Sequence, residues 1–355
     1  MLHSALLTIM VAVAVENAVE PTTLQAPSSN SAVGTIARSD TLRVRIEAWP
    51  VPWGGRVRDP FVAPDGRVWF VGQTGNYLAI FDTVTRRFER IEIDAGTHPH
   101  NVIIGPDGAA WYSGNQNGLI GRVDPRTHAI RTYPMPDPDV SDPHTLAFDR
   151  AGILWFTAQS SNVLGRLDPK NGEIQLFPSP TGRSRPYGIV VDRAGTIWAD
   201  LFGTDQLARI DPTTLRLTTT KLPDPRARPR RIAATSDGAI WWGDYSRGKL
   251  GRLDPATGRI TEYDNPAGAA SLPYAMTSDD RDRIWYVETG PQPNRLVAVD
   301  GKTGRVLGAW DVPGRPNTVR HMHFDPKTRS LWFGTDANDL VRVRLDVEGG
   351  TAPRV

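Results

Sequence analysis

Two short segments carry the side chains best suited to chemistry, His98-Pro99-His100 and Asp142-Pro143-His144. An imidazole titrates near neutral pH, so it can pass a proton or ligate a divalent metal. An aspartate beside it adds a hard oxygen ligand. Two imidazoles and a carboxylate brought together would form a metal site or a proton-transfer site; the alternative is the hydrogen-bonded lining of a polar channel. Asn115 and Gln159, four residues past Trp111 and Trp155, offer neutral oxygens to the same neighbourhood. His128 lies in an Asp-Pro-Arg-Thr-His turn and reads as solvent-exposed, while His321 and His323 lie a unit or more away. The chain has no cysteine, which excludes thiolate metal sites, cysteine nucleophiles and structural disulfides. No Ser-His-Asp order emerges. The glycine-containing segments at 117–121 and 181–185 are turns rather than phosphate loops, because no helix follows them.

A repeat is what must position these segments. Trp69, Trp111, Trp155, Trp198, Trp241, Trp285 and Trp332 recur at separations of 42, 44, 43, 43, 44 and 47 residues. Before each comes an apolar run and a tight turn, such as Gly105-Pro106-Asp107-Gly108 or Asp149-Arg150-Ala151-Gly152. In the second to fifth units a second apolar run follows, closed by Asp-Pro as in Gly121-Arg122-Val123-Asp124-Pro125, and then an alternating segment. Short β-branched and aromatic runs bounded by Gly, Asp and Pro read as strands, four to a unit. Four strands per repeat of this length is the pattern of a propeller blade. The fold class is therefore all-β, a seven-bladed β-propeller of four-stranded antiparallel blades. The last unit lacks a fourth strand, and Val44 to Pro50 resembles one that precedes the first unit. The N-terminal strand is expected to complete the last blade, which removes an open sheet edge. The repeated tryptophans are expected to pack between sheets, not to face a substrate.

The innermost strand of each blade lines the central channel, and residues just after its first position meet those three or four past the tryptophan. In the middle five units a proline stands twelve residues before the tryptophan, followed by His100, His144, Tyr187, Arg230 and Tyr274. Arg58 aligns with them in the first unit and Arg320, or else His321, in the last. This ring predicts a wet, electropositive mouth; Arg58, Tyr187, Arg230, Tyr274 and Arg320 are its candidate substrate-binding residues. Arg56, Arg185 and Arg228 reinforce the charge. The other reading is that such residues only solvate a water-filled channel.

The bulk properties are compatible with this picture. The 355 residues carry a net charge of +2, so no overall field argues for nucleic acid or an anionic membrane. Basic residues form no stripe interleaved with aromatics. Ala5 to Val15 is an apolar run sized for a signal segment and too short to span a membrane, followed by a Ser/Thr/Pro-rich stretch. We expect a leader and linker over 1–39, the propeller over 40–348 and a tail over 349–355. Export to the periplasm or beyond is expected; a frayed cytoplasmic N-terminus is the alternative. The chain is expected to be a monomer that binds a small or peptide-like ligand at the channel mouth.

The repeats resemble the virginiamycin B lyase (streptogramin lyase) family through P-H/Y-x-I, PDG-x-x-W-F/Y and I-G-R-x-D/T motifs across about residues 56–345. The resemblance implies a lyase that opens a cyclic depsipeptide by elimination at its ester bond, with Mg2+ stabilising the enolate and a histidine managing the proton. It implies His100 and Asp142 as metal ligands and His144 as the proton-transfer group. The family's last glutamate aligns near Gln159, a neutral residue that makes a weaker ligand for a hard cation. These residues fall in the second and third units, whereas the family's constellation lies in its last two blades. Two other readings stand beside it. One is a non-catalytic exported propeller binding an anionic ligand or partner protein through its arginine-rich face. The other is a calcium-dependent lactonase-like hydrolase, for which Asp244, Glu288 and Asp336 are the available acids.

Overall fold

Asp-Gly and Asp-Pro turns punctuate the repeats and keep the strands short and antiparallel, and the computed structural model contains seven sheets of four strands. It describes residues 42–314 and 317–353; the expected leader lies outside them. Among the described residues the one helical element is a 3-10 turn, Gly268–Ala270. The second blade is typical, with strands Pro99–Ile104, Ala110–Gly114, Leu119–Val123 and Ile130–Pro134 paired in chain order.

The last blade closes as expected. Val44–Pro50 is its outermost strand, paired antiparallel with Asp339–Leu345 from Val44 opposite Leu345 to Pro50 opposite Asp339. Thr351 also bridges to Val44, which ties the C-terminal tail to the closing strand.

The tryptophans pack between sheets. Trp69 clusters with Val102 and Tyr112 of the next blade, and Trp155 with Ile189 and Ile197. Several also anchor the turn before them. The Asp149 carboxylate accepts the Ala151 and Ile153 amides and the Trp155 indole N–H, and Asp192 does the same for Ala194, Thr196 and Trp198.

One irregularity repeats in every blade and decides what faces the pore. The innermost strand slips register just after its first residue or two, for example between Pro99 and Val102 and between Pro143 and Leu146. Each slip is a bulge, an extra residue that interrupts the ladder. The bulged amides find other partners: Asn101 N–H donates to Ser113 Oγ and Thr145 N–H to Thr157 Oγ1. Those two hydroxyls in turn donate to the carbonyls of His144 and Tyr187 in the following blade.

Candidate functional site

The bulges lie at one end of the pore and present two successive residues of each inner strand there. The first layer is the predicted ring. His100 and His144, from adjacent blades, lie with ring centres 3.5 Å apart, and the His144 ring is 4.2 Å from that of Tyr187. Tyr187 and Tyr274 are hydrogen-bonded through their hydroxyls. Arg230 donates to the Tyr274 hydroxyl at 3.1 Å. Its guanidinium sits 3.8 Å from the Tyr274 ring centre, 4.3 Å from that of Tyr245 and 4.7 Å from that of Phe202, a cation–π enclosure. Arg320 forms a double hydrogen bond with Asp336, and Arg58 bonds Gln73 at 3.1 Å.

A second layer accompanies it, of which the sequence pattern pointed only to His321. Asp59, Asn101, Thr145, Arg231 and His321 follow the ring residues by one position. Asp59 is buried, accepts from Asn101 at 3.1 Å and lies 3.4 Å from Arg58 Nε and 3.6 Å from Arg231 Nη2. Its Oδ2 is 4.0 Å from His100 Nδ1. Burial opposes ionisation of Asp59, yet Arg58, His321 and Arg231 with the Asn101 bond hold it below the ordinary carboxylate range. Arg231 reaches across the pore, donating to Thr145 Oγ1 and to the Arg320 carbonyl, each at 3.0 Å.

The acid beside the imidazoles is therefore Asp59 and not Asp142. Asp142 faces the neighbouring turn, where its carboxylate accepts both the Ser160 and Ser161 amides and the Ser161 hydroxyl. Gln159 is half-buried at the start of that turn. Among the described residues no group of three or more His, Cys, Asp or Glu side chains is arranged to hold a metal. Asp142 is occupied by the turn and Asp59 is shared by two guanidiniums, so this donor set does not fit Mg2+, which demands several oxygens in octahedral array. The acids a calcium site would need are likewise engaged separately: Asp244 by Arg228 N–H and Arg247, Glu288 by the Ala267 amide and Arg295, and Asp336 by Arg320.

Electrostatics fix the protonation states. Burial, reinforced by Arg58, drives His100 well below its ordinary pKa; burial and Arg231 do the same to His144. Both imidazoles are neutral at pH 7. His144 Nδ1 is 2.8 Å from Thr145 Oγ1, whereas His100 Nδ1 has no hydrogen-bond partner among the described residues. His321, set aside by its distance along the chain, comes to about 3, chiefly through burial, and stands close enough to Asp59 to feel its charge. Asp200 is pushed well above its ordinary value by burial while accepting the Gly188 amide at 3.0 Å. A Cβ on Gly188 would meet Asp200 Oδ2 at 2.4 Å, so only glycine admits this approach.

The family model for the virginiamycin B lyase family matches residues 58–343, nearly the whole propeller. This chain belongs to that family. Among solved structures a streptogramin B lyase is 24% identical with a TM-score of 0.78, covering 86% of this chain and 98% of its own. A catalytically inactive histidine-to-alanine variant of Staphylococcus aureus virginiamycin B lyase, solved with quinupristin, is 21% identical (TM-score 0.77; 85% and 99% covered). The extracellular domain of a hybrid two-component system from B. thetaiotaomicron is 18% identical (TM-score 0.67), covering 88% of this chain and 44% of that one. At these identities the likeness is one of fold. No curated protein sequence matches the chain.

Proposed function

We propose that this member of the virginiamycin B lyase family is a lyase that opens a cyclic ester or depsipeptide by elimination at the bulged mouth of its pore. The observation that carries the reading is the contact of two neutral imidazoles, with His100 and His144 ring centres 3.5 Å apart. In such a reaction the C–H bond α to a carbonyl breaks and its electrons form a C=C bond. As that C=C bond forms, the bond from the β-carbon to the ester oxygen breaks, its electrons leave with the carboxylate, and the abstracted proton is released to solvent; no water is consumed. An unprotonated imidazole can take the proton at neutral pH, and His144 is assigned that role with His100 beside it. The Arg58, Arg230 and Arg231 guanidiniums supply the positive potential that favours the enolate and the departing carboxylate.

Quinupristin, the compound solved with the S. aureus relative's inactive variant, is the first substrate to try. Mass spectrometry separates the outcomes, because elimination leaves the mass unchanged and hydrolysis adds one water. An isobaric, ring-opened product is expected, with His144→Ala slowing its formation about 100- to 10,000-fold. A hydrated product, or turnover unchanged by that substitution, overturns the assignment.

One observation favours the second reading, a non-catalytic binder of anions: among the described residues Arg230 has tyrosines and no carboxylate for its partners. Anion binding lost in Arg230→Ala and untouched in His144→Ala, with no turnover, selects it. Export is our reading of the apolar run at Ala5 to Val15, supported by the extracellular neighbour. No helix of the described residues is long and apolar enough to cross a membrane.

A further inference from the structure

The Tyr187–Tyr274 pair presents a hydrogen-bond accounting problem. Two hydroxyls carry two protons, and one of these serves the bond between them. The other needs an acceptor. Among the described residues the remaining polar groups aimed at the pair are guanidiniums. Arg230 donates to Tyr274 and lies 5.3 Å from the Tyr187 ring centre; Arg231 is 5.0 Å from that ring, and Arg320 is 5.9 Å from the ring of Tyr274. A guanidinium has five donors and no acceptor. Among the described residues no carboxylate is hydrogen-bonded to either hydroxyl: Asp336 pairs with Arg320, Asp59 with Arg58 and Arg231, and Asp200 accepts the Gly188 amide. His144 meets Tyr187 ring to ring, and Tyr245 packs edge-on against Tyr274.

We propose that Tyr187, Tyr274 and Arg230 form an oxyanion site, in which the spare phenolic proton is donated to a negatively charged oxygen of the ligand. The ligand class is an enolate, phenolate or carboxylate. Taking that oxyanion to be the enolate of the elimination rests on the lyase reading; the site then stabilises its charge without a metal. A preorganised donor aimed at developing charge acts strongly in a dry site, and the more acidic the donor, the stronger the bond. Burial raises the Tyr274 phenol, but Arg230, Arg58, Arg231 and Arg320 together outweigh it and bring Tyr274 to about 8. Burial and the Tyr274 charge push Tyr187 upward. The neutral His100, His144 and His321 add no compensating charge.

The test uses 4-nitrophenolate, an oxyanion that binds without any turnover and reports through its visible absorption. The intact chain is expected to bind it near pH 7. Tyr274→Phe and Tyr187→Phe should each weaken binding about 10- to 100-fold, the range for a hydrogen bond to a charged group. Affinity should fall as pH rises past about 8, where Tyr274 itself becomes an anion, and Tyr274→Phe should lose that break. In the free protein, an ultraviolet titration should show one phenol ionising ahead of the rest and disappearing in Tyr274→Phe. This second measurement also shows whether the variant keeps its environment. No binding, or phenylalanine variants that both bind as tightly as the intact chain, overturns the oxyanion site. Nitrophenolate binding with no depsipeptide turnover upholds the site and rejects the lyase.

Discussion

His100 and His144 are in ring contact, neutral and enclosed by arginines, and this has a cost that pH reveals. Their pKa values in the folded chain lie well below 6.5, as do those of His321, at about 3, and His323, at about 4, both driven down first by burial. In the unfolded chain each binds a proton near 6.5, so below that pH the unfolded state holds more protons and stability falls as pH falls. Each such histidine steepens the slope by up to about 1.4 kcal/mol per pH unit. Thermal unfolding between pH 7 and 5 should show a falling midpoint, with a shallower fall in His323→Phe; a flat profile would contradict the neutral assignment. The two imidazoles were legible because they occupy equivalent slots after a proline. Asp142 was misleading for a local reason: adjacency to Pro143-His144 in the chain is no guide to direction, and its carboxylate serves the Ser160–Ser161 turn instead.

The inner-strand bulge is the element that builds the mouth. Reading strands at a period of two assigns one residue per blade to the pore. The extra residue turns a second one inward, which is why Asp59, Asn101 and Arg231 went unread while Arg58, His100 and Arg230 did not. A signal was present two residues past the tryptophans, where Ser113, Thr157 and Asp200 offer polar groups on otherwise apolar strands. Each satisfies a backbone amide freed by the bulge, and the two hydroxyls also reach the next blade. Thr157→Val keeps the shape and removes both bonds, stranding the Thr145 amide and the Tyr187 carbonyl. A loss of about 1–3 kcal/mol is expected in denaturant unfolding, together with weaker nitrophenolate binding as Tyr187 loosens. Unchanged stability would mean that the bulge finds other partners.

At the scale of the whole ring, closure depends on a strand from the opposite end of the chain. Val44–Pro50 was legible from its likeness to the fourth strand of other units and from the unit count. Its Trp49 is buried, stacked on Trp332 with ring centres 5.9 Å apart and 4.9 Å from that of Phe81 in the first blade. Trp49→Ala should therefore cost about 3–5 kcal/mol by the usual measure of a buried large aromatic, and expose the edge of Asp339–Leu345 to pairing with other molecules. Light scattering on mild heating would detect that association, and its absence would show that the ring holds without this anchor. Arg231 has a different reach. Anchored in the fifth blade, it bonds groups in the third and seventh and pairs with Asp59 of the first. A crossbar of this kind laces blades one, three, five and seven together across the axle, so a change at any one of these residues is felt by the other three.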